Sequence, residues 1–446
     1  MDIINPVVKN KMRLALDNPD DFWDKAARQL PWLRTWDKVF EDHYPSFAWF
    51  LGGETNLSYM CIDHHINMGR AGHTALIYAN ERGERELVTY AQLKRRVEDA
   101  AAALRALGLG KGDRLTIYMP NSLETVVLML ATVRIGAIHS VVFAGFGAPA
   151  LADRIKASGS RAVFSADVAY RKGTVVKLKS IVDDALDLGC DSVEHQVVLL
   201  REEIDTPMRP ERDLTWDEFI ERAGANDRHY EIMEANDPAY ILATSGTTAT
   251  PKLAVHTHGG YPVGVFNQGK WCFGLNADDI WWATSDLGWA VGHSYIVYGP
   301  LLFGATSILY QGALDYPGPD VFWKLIEEFG ITGVFTSPTA VRLLMKFGEE
   351  PAKGFDISSL SRIVCAGEVL NPAAWEWLQK RVLDDCIPVI DNWWQTETGA
   401  PVIGNPYGIN MLPQKPGSAG IPLPGIDLAV MTPEGKICEP GEKGIL

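Results

Sequence analysis

Short apolar runs alternate with amphipathic segments along most of the chain. The periodicity of Tyr90–Leu107 predicts a helix, and the β-branched run Arg114–Met119 predicts the strand that follows it. Asn121 with Glu124 three residues later is typical of a helix start, so we expect Asn121 to cap a helix that reaches Ile135. The order helix, strand, helix is the first sign of a repeating α/β pattern.

The same alternation returns after residue 236. Six apolar runs are candidate strands: Tyr240–Ala243, Ile280–Ala283, Thr306–Tyr310, Gly333–Thr336, Arg362–Cys365 and Pro388–Ile390. Three amphipathic segments between them are candidate helices: Asp320–Phe329, Thr339–Phe347 and Pro372–Leu383. Strands that alternate with helices are typical of mainly parallel sheets covered by helices. The sequence therefore predicts an α/β protein built from two related halves.

Composition narrows the class of protein. Of 446 residues, 47% are apolar and 22% charged, as in ordinary globular proteins. The formal net charge of −15 argues against a nucleic-acid partner and against an anionic membrane surface, because both require a broad basic face. The most apolar segment, Thr125–Ala152, is interrupted by Arg134, His139 and Pro149, which indicates core and not a membrane span.

The cysteines and the amino terminus indicate a cytoplasmic protein. Six cysteines are scattered without a Cys-x-x-Cys pair or zinc spacing, which favours reduced thiols. The first residues show no basic region followed by a long apolar run, so no secretory signal is expected.

The segment Tyr240–Leu253 combines a strand signal with a loop suited to phosphate. Thr244 is followed by Ser245, Gly246, Thr247, Thr248, Ala249, Thr250, Pro251 and finally Lys252. Backbone N–H groups and hydroxyls of such a loop donate hydrogen bonds to an anion, and a lysine adds a point charge. The spacing is not that of a Walker A loop, since Leu253 follows the lysine. An ordinary turn between two strands stays an alternative.

Ligands of open α/β sheets bind beyond the carboxyl ends of the strands, so the residues at those positions are candidates for the site. They are Thr244–Lys252, Ser285–Trp289, Thr336–Thr339, Gly367–Glu368 and Asp391–Gly399. Glu397, between the hydroxyls of Thr396 and Thr398, suits Mg²⁺, which favours one carboxylate and substrate phosphate oxygens. A solvated surface charge is the alternative for Glu397. Trp393 and Trp394 are either buried bulk or a pocket wall.

No protein nucleophile is evident. The chain has no Gly-x-Ser-x-Gly motif, and His256 and His258 lack the spacing and acidic companion of a helical zinc site, which favours a structural or supporting role for both. Chemistry at this site would have to come from positioning and charge stabilisation, as in phosphoryl or nucleotidyl transfer.

Ordered motifs along the chain resemble the adenylate-forming superfamily and, within it, the acetyl-CoA synthetase group of AMP-forming short-chain acyl-CoA synthetases. These motifs are Asn18-Pro-Asp-Asp-Phe-Trp23, Asn56-Leu57 with Cys61-Ile-Asp63, Ile117-Tyr-Met-Pro120, Arg134-Ile-Gly-Ala137 through Phe143, Gly288-Trp289 with Gly292-His-Ser-Tyr295, Trp393-Trp-Gln-Thr-Glu-Thr-Gly399 and Lys415-Pro-Gly-Ser-Ala-Gly420. The resemblance implies that a carboxylate attacks the α-phosphate of ATP to give acyl-AMP and pyrophosphate, after which coenzyme A displaces AMP. This reaction needs no protein nucleophile.

The resemblance also implies roles for individual residues. Catalytic roles fall on Thr244, Lys252, Thr396 and Glu397, with Glu397 holding Mg²⁺. ATP-binding positions are Thr244, Ser245, Gly246, Thr247, Thr248, Lys252, Gly367, Glu368, Val369, Asp391, Asn392, Trp393, Gln395 and Thr396. Among them, the segments Gly367–Val369 and Asp391–Trp393 would flank the adenine, and Thr396 would meet the α-phosphate. The acyl pocket falls on Ala290, Val291, Ala366 and Trp394, and the coenzyme A channel on Phe143, Ala144, Arg171, Lys172 and Ser337.

Departures from the family pattern bear on specificity. Acetate-specific relatives often carry larger aliphatic residues at the positions of Ala290 and Ala366, so the pocket is expected to admit acetate and propionate, with Trp394 blocking longer chains. Relatives have a second arginine at the position of Thr174, for which Lys172 is expected to substitute. Ala249 stands where relatives usually have glycine, which would strain the loop.

The resemblance divides the chain into four segments. Residues 1–65 form an extension that packs on the body, 66–235 a first α/β subdomain, 236–410 a second that holds the ATP and acyl site, and 411–446 the start of a small β-barrel. The sequence ends before the position of the family's carboxyl-terminal lid domain, so this chain alone is expected to bind nucleotide and turn over poorly. Two other functions remain open: a ligase for another small or branched acid, and a nucleotide- or acyl-adenylate-binding protein without turnover.

Overall fold

The computed structural model describes residues 4–202, 206–244 and 251–446. The described residues form these strands: β1 (Lys38–His43), β2 (Ser46–Leu51), β3 (Glu54–Thr55), β4 (Thr74–Asn80), β5 (Arg85–Thr89), β6 (Arg114–Tyr118), β7 (Ile138–Val141), β8 (Ala162–Ala166), β9 (Val168–Arg171), β10 (Thr174–Lys177), β11 (His195–Leu199), β12 (Asp213–Thr215), β13 (Met233–Glu234), β14 (Pro238–Thr244), β15 (Lys252–Thr257), β16 (Ile280–Ala283), β17 (Thr306–Gln311), β18 (Gly333–Thr336), β19 (Arg362–Cys365), β20 (Val389–Trp393), β21 (Ile403–Gly404) and β22 (Ile421–Pro422).

The helices of the same residues alternate with these strands along much of the chain. They are α1 (Pro6–Asp17), α2 (Pro19–Ala27), α3 (His64–Asn67), α4 (Tyr90–Ala106), α5 (Leu123–Arg134), α6 (Ala148–Ser158), α7 (Leu178–Leu186), α8 (Trp216–Glu221), α9 (Gly260–Gln268), α10 (Ala290–Gly292), α11 (Gly299–Phe303), α12 (Val321–Phe329), α13 (Pro338–Met345), α14 (Glu350–Lys353) and α15 (Pro372–Glu376). Wider π-helical turns adjoin some of them at Tyr59–Asp63, Gly269–Phe273, His293–Tyr298 and Trp377–Val382. No helix in the described part of the chain is long and apolar enough to cross a bilayer.

Two large sheets organise the molecule. The first has the order β12-β11-β8-β6-β7-β14-β15 and is parallel except for β15, which runs antiparallel to β14. The second has the order β22-β21-β20-β19-β18-β16-β17-β4-β5, in which β20 to β4 are parallel and the outer strands antiparallel. The predicted α/β class with mainly parallel sheets is confirmed.

The sheets do not follow the order of the chain. The early strands β4 and β5 join the second sheet, where Leu76 pairs with Ser307, and the later strands β14 and β15 complete the first, where Tyr240 pairs with His139. The predicted boundary at 236 follows chain order, whereas each sheet draws strands from both sides of it. Strand partners are set by non-local pairing, which local sequence patterns do not record.

The helix after β6 begins one residue later than the sequence predicts. Ser122, not Asn121, is its N-cap, and the Ser122 hydroxyl accepts a hydrogen bond from the Thr125 N–H at 3.3 Å. Both residues suit a cap, and the pattern with an acidic residue in the first turn fits either. α5 is buried along its length except at Glu124, so it forms the centre of the core that joins the two sheets.

The amino-terminal segment packs on the body through aromatic side chains. Phe22 and Trp23 on α2 contact Trp271, with ring centroids 5.4 and 6.2 Å apart. Trp23 also meets Trp49 edge to face. Such rings bury large apolar areas and prefer these tilted contacts, so they anchor the extension firmly.

Candidate active site

The carboxyl ends of the two parallel sheets face each other at Gly288. This residue follows β16 of the second sheet, and a Cβ atom there would lie 2.6 Å from both the Cα and the backbone N of Phe143, which follows β7 of the first sheet. Only glycine permits so close an approach of two backbones. The segments that follow β7 and β16, which carry the predicted residues Phe143 and Ala290, are therefore brought together.

Asn121 joins the same two edges by hydrogen bonds. Its buried amide donates to the carbonyls of Ser285 at 3.1 Å and Tyr310 at 3.2 Å, and its oxygen accepts from the Leu287 N–H at 3.0 Å. This is the residue that the sequence pattern predicts as a helix cap. The side chain instead links the end of β6 to the ends of β16 and β17 through hydrogen bonds.

The strand ends of the second sheet lie side by side, as predicted. The Thr284 and Thr336 hydroxyls are 2.9 Å apart, and the Ala366 N–H donates to the Thr336 carbonyl at 3.3 Å. The buried Asn392 amide donates to the Cys365 carbonyl at 2.9 Å, which links the ends of β19 and β20. Four of the candidate segments thus form one continuous edge.

The proposed phosphate loop connects two antiparallel strands. Thr244 ends β14 and pairs with Lys252 at the start of β15, and the Thr244 hydroxyl donates to the Lys252 carbonyl at 3.4 Å. The Lys252 side chain is exposed at this end of the strand. Ser245, Gly246, Thr247 and Thr248, together with Ala249, lie outside the described residues, so their roles stay predictions.

The turn that carries Thr396 and Glu397 is held at both ends. His256 Nε2 lies 2.8 Å from the Thr396 carbonyl, and the Ser294 hydroxyl donates to the Gly399 carbonyl at 2.6 Å. Burial lowers the pKa of His256 to about 4, so the ring is neutral near pH 7. Glu397 is exposed beside the half-buried Thr396, which leaves both side chains at the surface of the cleft.

These residues fit a Mg²⁺ ion shared with a phosphate ligand. In the described residues no group of three or more His, Cys, Asp or Glu side chains could hold a metal alone. The Thr398 hydroxyl is engaged within the turn, where it donates to the Gln395 carbonyl at 2.9 Å. The Glu397 carboxylate and the Thr396 hydroxyl therefore remain as local oxygen ligands. So few protein ligands suit Mg²⁺, which keeps several water molecules and binds substrate phosphate oxygens.

The residues predicted beside adenine occupy the ends of β19 and β20. Gly367 has φ +107°, and Val369 is 75% exposed. The Glu368 carboxylate pairs with Arg342 at 2.7 Å, and hydrogen bonds from Thr339 and Arg342 lower its pKa. Burial raises the pKa of the half-buried Asp391 to about 6.

Two further predicted nucleotide-binding residues line a cavity. A cavity of about 300 Å³ has Trp393 and Gln395 on one wall and Asp427, Leu428, Ala429 and Leu446 among its other lining residues. Asn392, which precedes Trp393 on β20, is buried. The predicted adenine side of the site therefore borders a space between the second sheet and the carboxyl-terminal segment.

The four predicted acyl-pocket residues belong to one apolar cluster. Ala366 is buried in this cluster, and Ala290, Val291 and Trp394 pack against it. The Trp394 ring meets Tyr295 edge to face, with centroids 5.8 Å apart, and lies 6.4 Å from Phe335. These contacts hold the tryptophan ring against the same apolar cluster.

The hairpin of β9 and β10 carries the predicted coenzyme A residues Arg171 and Lys172. Lys172 and Gly173 have φ of +50° and +73°, as a two-residue hairpin turn requires. The Glu81 carboxylate accepts hydrogen bonds from both backbone N–H groups, at 3.0 and 2.8 Å. The Lys172 ammonium pairs with Asp315 at 2.7 Å, so its charge is already neutralised. This pairing weakens the expectation that Lys172 replaces the arginine of the relatives.

Arg171 is exposed and lies close enough to Asp286 to affect its ionisation. Burial raises the pKa of Asp286 to about 6, while the Gly288 N–H, which donates to it at 2.8 Å, and the charge of Arg171 oppose the shift. The exposed Arg171 therefore lies near the segment that follows β16.

Three aromatic rings, those of Phe143, Phe146 and Trp289, pack together as an aromatic wall. Phe143 lies 5.7 Å from Phe146 and 5.6 Å from Trp289, which is 48% exposed. Ala144 adjoins them, and its carbonyl accepts from the Tyr118 hydroxyl at 3.1 Å. Ser337, after β18 of the second sheet, caps α13 by accepting from the Ala340 N–H at 3.2 Å.

Comparison with known proteins identifies the family to which the chain belongs. Residues 63–446 match the model of the AMP-binding enzyme family, and residues 9–61 match that of the acetyl-coenzyme A synthetase amino terminus. The acetoacetyl-CoA synthetase structure from Streptomyces lividans superposes with a TM-score of 0.86 at 26% identity, covering 96% of this chain and 65% of that one.

Two curated relatives are similar over nearly the whole chain. An acetyl-coenzyme A synthetase of Pyrobaculum aerophilum is 43% identical over 445 residues, which cover 97% of this chain and 66% of that protein. A 3-hydroxypropionyl-coenzyme A synthetase of Sulfurisphaera tokodaii is 44% identical over 440 residues, with 97% and 66% covered. The chain thus spans about two thirds of the length of the relatives it matches. It belongs to the AMP-binding enzyme family and has the adenylate-forming α/β fold with parallel sheets.

Proposed function

We propose that the protein is an AMP-forming acyl-CoA synthetase that activates acetate and propionate with ATP and transfers the acyl group to coenzyme A. One observation carries the proposal: the turn with Thr396 and Glu397 is bonded to β15, the strand that begins at Lys252. Lys252, Glu397 and Thr396, the residues predicted to bind the phosphates, the metal ion and the α-phosphate, are thus connected through one hydrogen bond at the carboxyl ends of the strands. Similarity to acetyl-coenzyme A synthetases over 97% of the chain supports it.

The first half-reaction would use positioning and charge. Lys252 and the loop before it would bind the phosphates of ATP, and the Thr396 hydroxyl would donate to the α-phosphate as the carboxylate attacks it. Mg²⁺, held by Glu397 and phosphate oxygens, would neutralise charge that develops on the pyrophosphate. Asp391, Asn392, Trp393 and the Gly367–Val369 segment would flank adenine, and Gln395 would belong to the same ATP site.

The second half-reaction would take place between the aromatic wall and Arg171. Phe143, Ala144 and Ser337 line the approach of the thiol, and the exposed Arg171 would pair with the 3′-phosphate of coenzyme A. Because Asp315 already neutralises Lys172, Arg171 is expected to supply most of the positive charge there.

The choice of acid would be set by the four apolar pocket residues. Ala290 and Ala366 leave room beyond a methyl group, and one methylene changes discrimination by about 1–3 kcal/mol. Acetate and propionate are therefore both expected to react, and Trp394 is expected to exclude longer chains. Another small or branched acid is the alternative, and the similarity to a 3-hydroxypropionyl-coenzyme A synthetase adds that acid to the panel.

The finer parts of the fold belong to the same proposal. Met431 forms isolated bridges with Ile437 and Ile445, which supports 411–446 as the start of a small β-barrel. The lid domain of the family stays an expectation from the resemblance. A cytoplasmic location is proposed from the thiols, since the six cysteines are free in the described structure and four of them are buried.

Carboxylate-dependent exchange of labelled pyrophosphate into ATP by the full-length protein tests the proposal. We expect exchange with acetate or propionate, and its loss in Glu397→Gln. Tight ATP binding without exchange would instead establish the non-catalytic alternative. A branched or aromatic acid that outperforms both short acids would refute the proposed specificity.

A further inference from the structure

His256 points from β15 toward the turn that carries Thr396 and Glu397. It lies four residues after Lys252, and alternate residues of a strand share one face, so the two side chains leave β15 on the same side. His256 Nε2 lies 2.8 Å from the Thr396 carbonyl. A carbonyl only accepts hydrogen bonds, so the ring hydrogen is on Nε2.

The imidazole ring is fixed by its neighbours. It stacks on Tyr240, with centroids 4.7 Å apart and planes 25° apart, and contacts Tyr261 at 5.0 Å. On the side of the turn, a Cβ at Gly399 would lie only 2.9 Å from His256 Cε1, so the glycine packs directly on the ring. The donor atom therefore has one position, which is set by packing.

Among the residues that the structure describes, the turn has few other attachments that fix its distance from β15. Ser294 holds its far end through the Gly399 carbonyl, and Thr398 bonds within the turn. The bond from His256 to Thr396 is the attachment next to the two side chains that face the cleft. Loss of this bond would let the Thr396–Glu397 segment move while the rest of the turn stays in place.

We infer that His256 is a positioning residue, which holds Thr396 and Glu397 at the correct distance from Lys252 through its bond to the Thr396 carbonyl. The inference rests on the proposed function, because it assigns His256 to the binding of the ATP phosphates and their Mg²⁺. Groups that orient metal-binding side chains typically contribute about 10–100-fold to affinity or activity.

His258 offers a matched control on the same segment. It is buried like His256, but its Nδ1 accepts a hydrogen bond from the Leu57 N–H at 3.1 Å, so it bonds to the amino-terminal segment. His258→Asn keeps an acceptor for this bond. A purely structural effect of losing a buried histidine should appear at both positions.

The test compares His256→Gln, His256→Asn and His256→Leu with His258→Asn in the full-length protein. Glutamine places an amide donor near the position of Nε2, whereas asparagine is too short and leucine has no donor. We expect kcat for pyrophosphate exchange to fall about 10–100-fold in the Asn and Leu variants and to recover to within a few-fold in the Gln variant. Calorimetry should show ATP binding without Mg²⁺ nearly unchanged and the gain in affinity on adding Mg²⁺ lost.

The outcomes separate the inference from the proposed function. Equal kcat values in the Gln, Asn and Leu variants, or an equal loss in His258→Asn, would overturn the role of His256. If the wild type shows no exchange with any acid, the proposed function falls, and the Mg²⁺-dependent gain in ATP affinity still decides the inference. If leucine prevents folding, the comparison of Gln with Asn carries the test.

Discussion

Gly288 is the residue at which a single methyl group should separate the two halves of the site. In Gly288→Ala the new Cβ would lie 2.6 Å from the Cα and N of Phe143, whereas ordinary contact begins at 3.4 Å, so the strand ends must part by about 0.8 Å. The opposing atoms are backbone and cannot rotate away. Overpacking of this kind costs about 1–3 kcal/mol of folding free energy.

The displacement of the strand ends should also lower the rate of the reaction with coenzyme A. Gly288 lies between Leu287, which is bonded to Asn121, and Trp289, which packs on Phe143. A misplacement near 1 Å can lower a rate about 100-fold, so we expect kcat/KM for coenzyme A to fall by one to two orders of magnitude. Pyrophosphate exchange, which needs no coenzyme A, should fall less.

Gly264→Ala is the matched control, because nothing lies within 4 Å of a Cβ at this helical position. Alanine there should leave activity unchanged and stabilise α9 by up to about 1 kcal/mol. Chemical denaturation and a coupled assay for acyl-CoA formation measure both effects. If Gly288→Ala were as stable and as active as Gly264→Ala, the close approach of the two sheet edges would be refuted.

Three further changes test the acyl pocket, the coenzyme site and the buried histidines. Trp394→Gly should shift the preferred acid from acetate toward butyrate or longer chains in a substrate panel; unchanged selectivity would remove Trp394 from the pocket wall. Arg171→Ala should raise KM for coenzyme A about tenfold or more and leave pyrophosphate exchange intact, and an unchanged KM would exclude contact with the 3′-phosphate. Burial lowers the pKa of His258 from 6.5 to about 3, so the unfolded chain binds the proton more readily and stability is lost as pH falls below 6.5. His258→Asn should reduce this loss in melting temperature between pH 6.5 and 4, whereas parallel profiles for mutant and wild type would contradict the argument.

Local patterns predict the elements of this fold well, because each strand end is marked in the sequence. The runs Ile280–Ala283, Gly333–Thr336 and Arg362–Cys365 are strands with the predicted bounds. The assignment of Asn121 as a helix cap is wrong, since its partners Ser285 and Tyr310 are distant in sequence. The sheet that each edge strand joins depends on equally distant pairing and could not be predicted locally.

The candidate site also combines features that local sequence patterns predict with features that depend on distant contacts. The rule that ligands bind at strand carboxyl ends selects, from local sequence patterns alone, segments that the fold brings to one edge. The bond of His256 to Thr396 depends on the packing of a turn 140 residues away, and only the alternate spacing of Lys252 and His256 hints at it. The sequence equally gives no sign that Asp315 neutralises Lys172.

The central claim is tested most directly by the products formed from ATP. The full-length protein, supplied with acetate, coenzyme A and Mg²⁺, should release AMP and pyrophosphate in equal amounts with acyl-CoA, and propionate should replace acetate. Release of ADP and phosphate, or AMP release that does not depend on the acid, would contradict the account.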